Sequence, residues 1–290
     1  MLTKEEFLKK VSQGLRILDG ATGSNLRAAG MPKGCCTEQW VLENPEPLLA
    51  LQRGYAQAGS QIIYAPTFQA QPIALRQVGL EKETEQVNKK LVELSRSAAP
   101  ECLIAGDLTT LATFCDSWNP DSFDLLVENY RRQIRGLMDG GCDLLVGETL
   151  LYPQEAEAIL TAAELEGAGA AMYTFTMQAD GSLFSGADVG PVLQDLEQAG
   201  AAAVGFNCVA ADMMLPHLVS KLRRFVKIPL VCKPNAGMPV INDDGIAVYT
   251  QTPSQFYEIM TQCVANGAQI LGGCCGTTPE FIAELCKLPL

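Results

Sequence analysis

The sequence predicts a closed (β/α)8 TIM barrel, and three observations carry that prediction. Short apolar runs and amphipathic helical stretches alternate strictly along the chain, which implies a parallel sheet with helices outside it. Eight such units, each about 30 to 40 residues long, fit into 290 residues, the size of a barrel of this kind. No Ser/Gly/Pro-rich linker separates the units, so residues 1–290 read as a single domain. The competing architecture is an open doubly wound sheet. Against it, no Gly-x-Gly-x-x-Gly follows the first strand and no P-loop occurs.

The elements follow in order. Residues 3–13 read as a short helix carried by Phe7, Leu8 and Val11. Leu15 to Leu18 is the first strand, and it runs into the small-residue loop Asp19-Gly20-Ala21-Thr22-Gly23-Ser24. Such a loop is either a plain turn or a place where backbone N–H groups approach an anionic group. Asn44-Pro45 opens a helix near residues 46 to 58, since proline suits a first helical turn. Gln61 to Tyr64 is the second strand, ending in Ala65-Pro66-Thr67-Phe68, with its helix at about 82 to 98. Cys102 to Gly106 is the third, followed by a helix from Asp121 to Asp139. Cys142 to Gly147 is the fourth, ending in Gly147-Glu148-Thr149, with a helix from Pro153 to about Glu166. Ala170 to Thr176 is the fifth, with a helix from about Val189 to Gln198. Ala202 to Phe206 is the sixth, with a helix at about 211 to 225. Pro229 to Lys233 is the seventh, ending in Pro234-Asn235-Ala236-Gly237. An insertion, Met238 to Thr252, precedes its helix at about 253 to 266. The eighth strand, from Ala268, runs into Leu271-Gly272-Gly273-Cys274-Cys275-Gly276-Thr277, and Thr278-Pro279-Glu280 starts the closing helix.

Composition narrows the function. Hydrophobic residues at 48% and charged residues at 19% suit a globular protein with a sizeable core. A net charge of −12 argues against a nucleic-acid partner. The N-terminus is charged and helical in period, unlike a signal peptide, and no apolar run is long enough for a membrane span. Eleven cysteines, an odd count in a chain without disulfide-scaffold length, point to reduced thiols and a cytoplasmic setting. The one histidine, His217, shares a helical pattern with Met214, Leu218 and Lys221 and reads as a helix-surface residue. A histidine-rich metal site is therefore excluded.

Active sites of such barrels lie at the C-terminal ends of the strands. The unusual residues fall there: Asp19 ends the first strand, Glu148 the fourth, Cys208 the sixth, Asn235 the seventh and Cys274-Cys275 the eighth. Two adjacent cysteines close a disulfide only with a strained peptide. Flanking glycines instead let the backbone curl so that both thiolates reach one metal. Cys208 lies 66 residues before Cys274, on a near neighbour around the ring, so three thiolates can converge. A zinc ion held by three cysteines, with an open fourth position, is a catalytic arrangement. The alternative is that these are small buried hydrophobes. Cys35 and Cys36, after Met31-Pro32-Lys33-Gly34, have no glycine-framed strand end and read as incidental. Cys102, Cys115, Cys142, Cys232, Cys263 and Cys286 read as core or surface thiols. Trp40 and Trp118, on loops after the first and third strands, either wall a pocket or pack in the core.

Asp19-Gly20-Ala21-Thr22-Gly23, Gly147-Glu148-Thr149, Asn207-Cys208, Pro234-Asn235-Ala236-Gly237 and Gly272-Gly273-Cys274-Cys275-Gly276-Thr277-Thr278-Pro279 resemble the homocysteine S-methyltransferase family. The resemblance covers nearly the whole chain, in the family's order, and the double-cysteine motif is very specific. Within the family it leans toward the homocysteine module of cobalamin-dependent methionine synthase. One departure is Ala65-Pro66-Thr67-Phe68, preceded by Tyr64, where that module tends to have Thr-Asn-Thr-Phe. The resemblance implies one zinc ion per chain on Cys208, Cys274 and Cys275, with Asn235 beside the metal as a displaceable fourth ligand. It implies homocysteine as substrate, its ammonium on Glu148 and its carboxylate on the backbone of Gly20, Ala21, Thr22 and Gly23. Asp19 would orient that loop or meet the ammonium. No catalytic residue beyond the zinc site is implied. No folate or corrinoid module follows in this sequence, so cobalamin would act only through a partner, as a methyl-corrinoid on a separate protein. A sulfonium such as S-methylmethionine is the second donor, and a non-catalytic zinc-stabilised subunit is the reading outside enzymes.

Overall fold

The computed structural model describes residues 1–178, 180–242 and 247–289. Eight parallel strands form the barrel: β1 (Arg16–Ile17), β2 (Ile62–Tyr64), β3 (Leu103–Thr109), β4 (Leu144–Leu150), β5 (Ala171–Phe175), β6 (Ala203–Ala210), β7 (Leu230–Asn235) and, after a two-stranded insertion, β10 (Ile270–Leu271). Their order is β1-β10-β7-β6-β5-β4-β3-β2, and a parallel bridge between Leu18 and Ile62 closes the ring. The insertion is an antiparallel pair, β8 (Val240–Ile241) with β9 (Ala247–Val248); residues 243–246 of it lie outside the described residues. Among the described residues no helix is long and apolar enough to cross a membrane.

The N-terminal end of the barrel is plugged. The first helix, α1 (Lys4–Val11), starts at a reciprocal cap, Thr3 Oγ1 accepting from the Glu6 amide and the Glu6 carboxylate from the Thr3 amide. Its Phe7 and Val11 pack inside the barrel with Leu18, Ile62, Leu144 and Ile270. Leu2 crosses the strand starts, donating to Asp143 O and accepting from Ala170 N, both at 2.8 Å. The barrel floor is thus filled, and the C-terminal end offers the mouth.

The outer helices follow their strands. These are α2 (Gly23–Ala28), α3 (Thr37–Glu43) and α4 (Pro45–Ala58) after β1, α5 (Pro72–Leu75) and α6 (Thr84–Ala98) after β2, and α7 (Phe123–Asp139) after β3. Then come α8 (Pro153–Glu166), α9 (Val189–Gln198), α10 (Leu215–Arg223), α11 (Pro253–Ala265) and α12 (Pro279–Leu285). The expected helix positions hold, but α2, α3 and α5 were not foreseen, and α3 is the one that bears on Trp40. It is short and abuts Asn44-Pro45, where the next helix starts at once. Trp40 sits on α3, half-buried against the cluster of Leu26, Val41 and Leu48.

Four strands run past their expected ends at Gly106, Gly147, Phe206 and Lys233, to Thr109, Leu150, Ala210 and Asn235. The reason is visible in two of them. Register shifts occur between Gly147 and Leu150 and between Asn207 and Ala210. There Thr149 (φ 58°) and Cys208 (φ 57°) are the only non-glycine residues with positive φ among the described residues. Such bulges bend a strand and re-aim its side chains. Inward positions recur every second residue. They pass from Ala105 to Asp107 on β3, from Val146 to Glu148 on β4 and from Val231 to Lys233 on β7. An apolar floor therefore gives way to a buried polar layer just below the mouth.

Candidate metal centre

Cys208, Cys274 and Cys275 bring their Sγ atoms within 4.8 Å of one another. None is in a disulfide; all eleven cysteines are free thiols. Cys208 reaches the cluster through its left-handed backbone, because simple alternation after the inward Asn207 would turn it out. Cys274 and Cys275 lie just beyond β10, on the turn rather than in the strand. That turn is pinned to β7: Cys274 N donates to Pro234 O at 2.7 Å and Ala236 N to Cys275 O at 3.0 Å. The glycines are sterically required. A Cβ on Gly273 would lie 2.3 Å from Thr277 Oγ1, and Gly276, at φ 82°, has Tyr249 Cγ 2.3 Å from where one would be.

The surroundings favour an anionic sulfur at Cys275, while Cys208 and Cys274 are raised. Cys275 is pushed down to about 3 because the thiols of Cys208 and Cys274, then the Tyr249 hydroxyl, donate to it. Cys208, which donates to Cys274 and Cys275, is held far above the ordinary thiol range. Asn207 Nδ2 adds a longer contact to Cys274 Sγ at 3.9 Å. Three soft donors at one point suit a thiophilic metal, and zinc is the usual ion for such a set. Asn235 Oδ1, at the end of β7, is buried without a hydrogen-bond partner among the described residues. Such an orphan acceptor fits a fourth ligand position.

The loop after β1 is stitched to the cysteine turn. Ala21 N donates to Thr277 Oγ1 at 3.1 Å, while Asn25 Nδ2 donates to Ala21 O at 2.7 Å and Thr277 O at 2.8 Å. Tyr55 Oη donates to Ala21 O at 2.7 Å, and Gly273 N donates to Asp19 O at 3.1 Å. Residues 19–23 and the thiols therefore move as one body.

Beside the thiols lies a charge cluster that the sequence reading only half found. Glu148 Oε1 is 2.9 Å from Lys233 Nζ, whose ammonium also lies 4.0 Å from Asp19 Oδ1 and 4.7 Å from the centre of the Tyr64 ring. Asp19 Oδ2 accepts from Tyr64 N at 2.8 Å. Burial pushes Asp19 up to about 7, against the pull of Lys233. Burial raises Glu148 too, again opposed by Lys233. Burial works against the Lys233 charge, yet Glu148, Cys274 and Asp19 hold it well above the ordinary lysine range. Asp107, buried in the same layer, is raised by burial and then by Glu148. Neither Asp107 nor Lys233 was singled out from sequence. The available signals were a lysine inside the apolar run of β7 and the alternation Leu103-Ala105-Asp107.

The remaining expectations sort simply. His217 is exposed on α10. Cys35 is exposed, and Cys36 donates to Glu38 Oε2 at 3.3 Å, away from the thiol cluster. Cys102, Cys142, Cys232 and Cys263 are buried, and Cys115 and Cys286 partly so. Trp118 is 56% exposed, on the loop after β3.

Comparison with known proteins agrees with the geometry. The model of the homocysteine S-methyltransferase family matches residues 16–288. The methionine synthase of Mycobacterium tuberculosis is 26% identical over 97% of this chain, and the chain spans only 25% of that protein's length. The homocysteine S-methyltransferase of Escherichia coli strain K12 is 28% identical, covering 94% of each chain. The metallated form of the Escherichia coli homocysteine methyltransferase MmuM superposes with a TM-score of 0.79 at 28% identity, covering 96% of this chain and 98% of that one. Over almost its whole length, then, the chain belongs to the homocysteine S-methyltransferase family, a family of methyltransferases.

Proposed function

We propose that residues 1–290 form one homocysteine-binding barrel domain that accepts a methyl group onto the homocysteine thiol, giving methionine. The observation that carries this is the set of three converging thiols at the open end of a barrel of this family. Cys208, Cys274 and Cys275 would hold one zinc ion, with Asn235 Oδ1 as the ligand that substrate displaces. When bound there, zinc supplies the Lewis acidity that keeps a coordinated thiol ionised near neutral pH. The protein then needs no general base, which suits a chain whose single histidine is on an outer helix. The metallated form of MmuM supports a metal in the same family.

The chain's own residues bind and orient. Glu148 would take the substrate ammonium, and the backbone of Gly20, Ala21, Thr22 and Gly23 its carboxylate. Asp19 would hold that loop against the barrel through its bond to Tyr64 N. The barrel is filled from below by its plugged floor. Eleven free thiols suit a reducing compartment, and the cytoplasm is the proposed setting.

The proposed donor is a methyl-corrinoid on a separate protein; the match to methionine synthases supports it. A sulfonium such as S-methylmethionine is the second reading, and the end-to-end match to the Escherichia coli homocysteine S-methyltransferase favours it. The test is to incubate zinc-loaded protein with homocysteine and each donor and to measure methionine by mass spectrometry. Methionine from neither donor, with zinc bound, would leave the non-catalytic subunit as the better reading.

A further inference from the structure

The polar layer beside the thiols holds more carboxylates than cations. Three buried carboxylates, Asp19, Asp107 and Glu148, share the single ammonium of Lys233. Asp19 has its backbone donor, and Glu148 has Lys233 at 2.9 Å. The Asp107 carboxylate accepts no hydrogen bond from any described residue, and its Oδ1 is fully buried. Tyr64 Oη and Asp19 Oδ1 are likewise buried without a hydrogen-bond partner among the described residues. Burying a carboxyl oxygen without a hydrogen-bond partner costs free energy, and a donor that reaches Asp107 removes that cost. The missing group has to donate, because the orphans are acceptors or a hydroxyl, and a positive one suits the excess of carboxylates over ammonium in this layer. A primary ammonium meets both conditions.

We propose that Asp107, not Glu148 alone, receives the substrate's ammonium, and that Lys233 occupies part of Glu148 so that the amino group is directed toward the β3 side of the mouth. This rests on the homocysteine reading and adds a specificity residue to it. Asp107 faces inward two residues above Ala105, and its backbone is fixed by Thr67, whose hydroxyl accepts from Asp107 N at 3.0 Å and donates to Asp107 O at 2.9 Å. The Gln133 amide also donates to Asp107 O, at 3.1 Å. The backbone that carries the carboxylate is thus fixed on both its N–H and its C=O side.

The test compares two thiols on zinc-loaded protein by calorimetry: homocysteine, and 4-mercaptobutanoate, which is homocysteine without its amino group. Wild type should prefer homocysteine by about 100-fold or more. Asp107→Asn should cut that preference to below about tenfold by weakening homocysteine only, with a full zinc content and unchanged affinity for 4-mercaptobutanoate. Asp107→Ser leaves the position small and uncharged should the asparagine variant fail to fold. An undiminished preference in a folded, zinc-loaded Asp107 variant overturns the inference while leaving the homocysteine reading intact. Failure of wild type to bind either thiol overturns both.

Discussion

Asn207 holds Thr149 by two hydrogen bonds: its Oδ1 accepts from Thr149 N at 2.9 Å, and its Nδ2 donates to Thr149 Oγ1 at 2.7 Å. Both left-handed residues of the mouth meet this pair, Thr149 as a member and Cys208 as the next residue after Asn207. One buried amide therefore braces the two bulges that carry Glu148 and Cys208. Asn207→Ala strands a buried amide and hydroxyl, so it should cost about 2–3 kcal/mol in urea unfolding. Cys208 should then relax out of its left-handed conformation, and chelator competition should show zinc held at least about tenfold more weakly. Unchanged zinc affinity would mean that Cys208 keeps its geometry unaided.

The thiol cluster makes a stoichiometric prediction. Plasma mass spectrometry should find about one zinc per chain. Cys208→Ser or Cys274→Ser should lose metal and methyl transfer together, while circular dichroism stays that of a folded barrel. The barrel survives because its floor, sealed by Phe7 and Val11, does not involve the thiols. A full zinc complement in the double variant Cys208→Ser/Cys275→Ser would place the metal elsewhere.

Much of this was legible before the structure. Glycines around Cys274-Cys275 announced a turn, and strict alternation of strand and helix announced the mouth that the turn opens on. What stayed hidden depended on strand length. Ending the third strand at Gly106 left Asp107 in a loop; β3 runs on to Thr109 and turns Asp107 inward. Lys233 stood in plain view at the end of an apolar run, but its partners come from β1 and β4, far away in sequence. The bulges at Thr149 and Cys208 had no sequence signal, since neither residue is the glycine or asparagine that favours a left-handed backbone.

Asp19 gives the fold a pH dependence. Its carboxyl is raised from 3.8 to about 7, chiefly by burial. The folded state therefore binds this proton more tightly than the unfolded chain does. The associated stability is fully present below about 3.8 and is lost as pH rises through about 7. Asp19→Asn keeps an acceptor for Tyr64 N and removes the titration. Urea unfolding of the metal-free, reduced protein at pH 5 and pH 7.5 should show a smaller loss of stability for Asp19→Asn than for wild type. Equal losses in the two proteins would show that Asp19 is ionised throughout.

The last prediction concerns how a methyl group reaches the thiols. The donor must come from the strand-end face, because the opposite end is plugged. That face is unusually apolar: Trp118 after β3, Phe184 after β5, Met213 after β6, and Met238 and Ile241 after β7 are all 56% to 69% exposed. Trp40, by contrast, packs inward on α3. An apolar rim around a polar mouth suits a protein partner. A corrinoid carrier has to leave for remethylation, so the contact should be small and transient. Trp118→Ala combined with Ile241→Ser should lower turnover with a methyl-corrinoid protein about tenfold or more and leave turnover with free methylcobalamin unchanged. Both side chains are exposed, so the loss would report docking rather than chemistry. Full turnover with S-methylmethionine and no response to either cobalamin form would sink the docking model and make the sulfonium the donor.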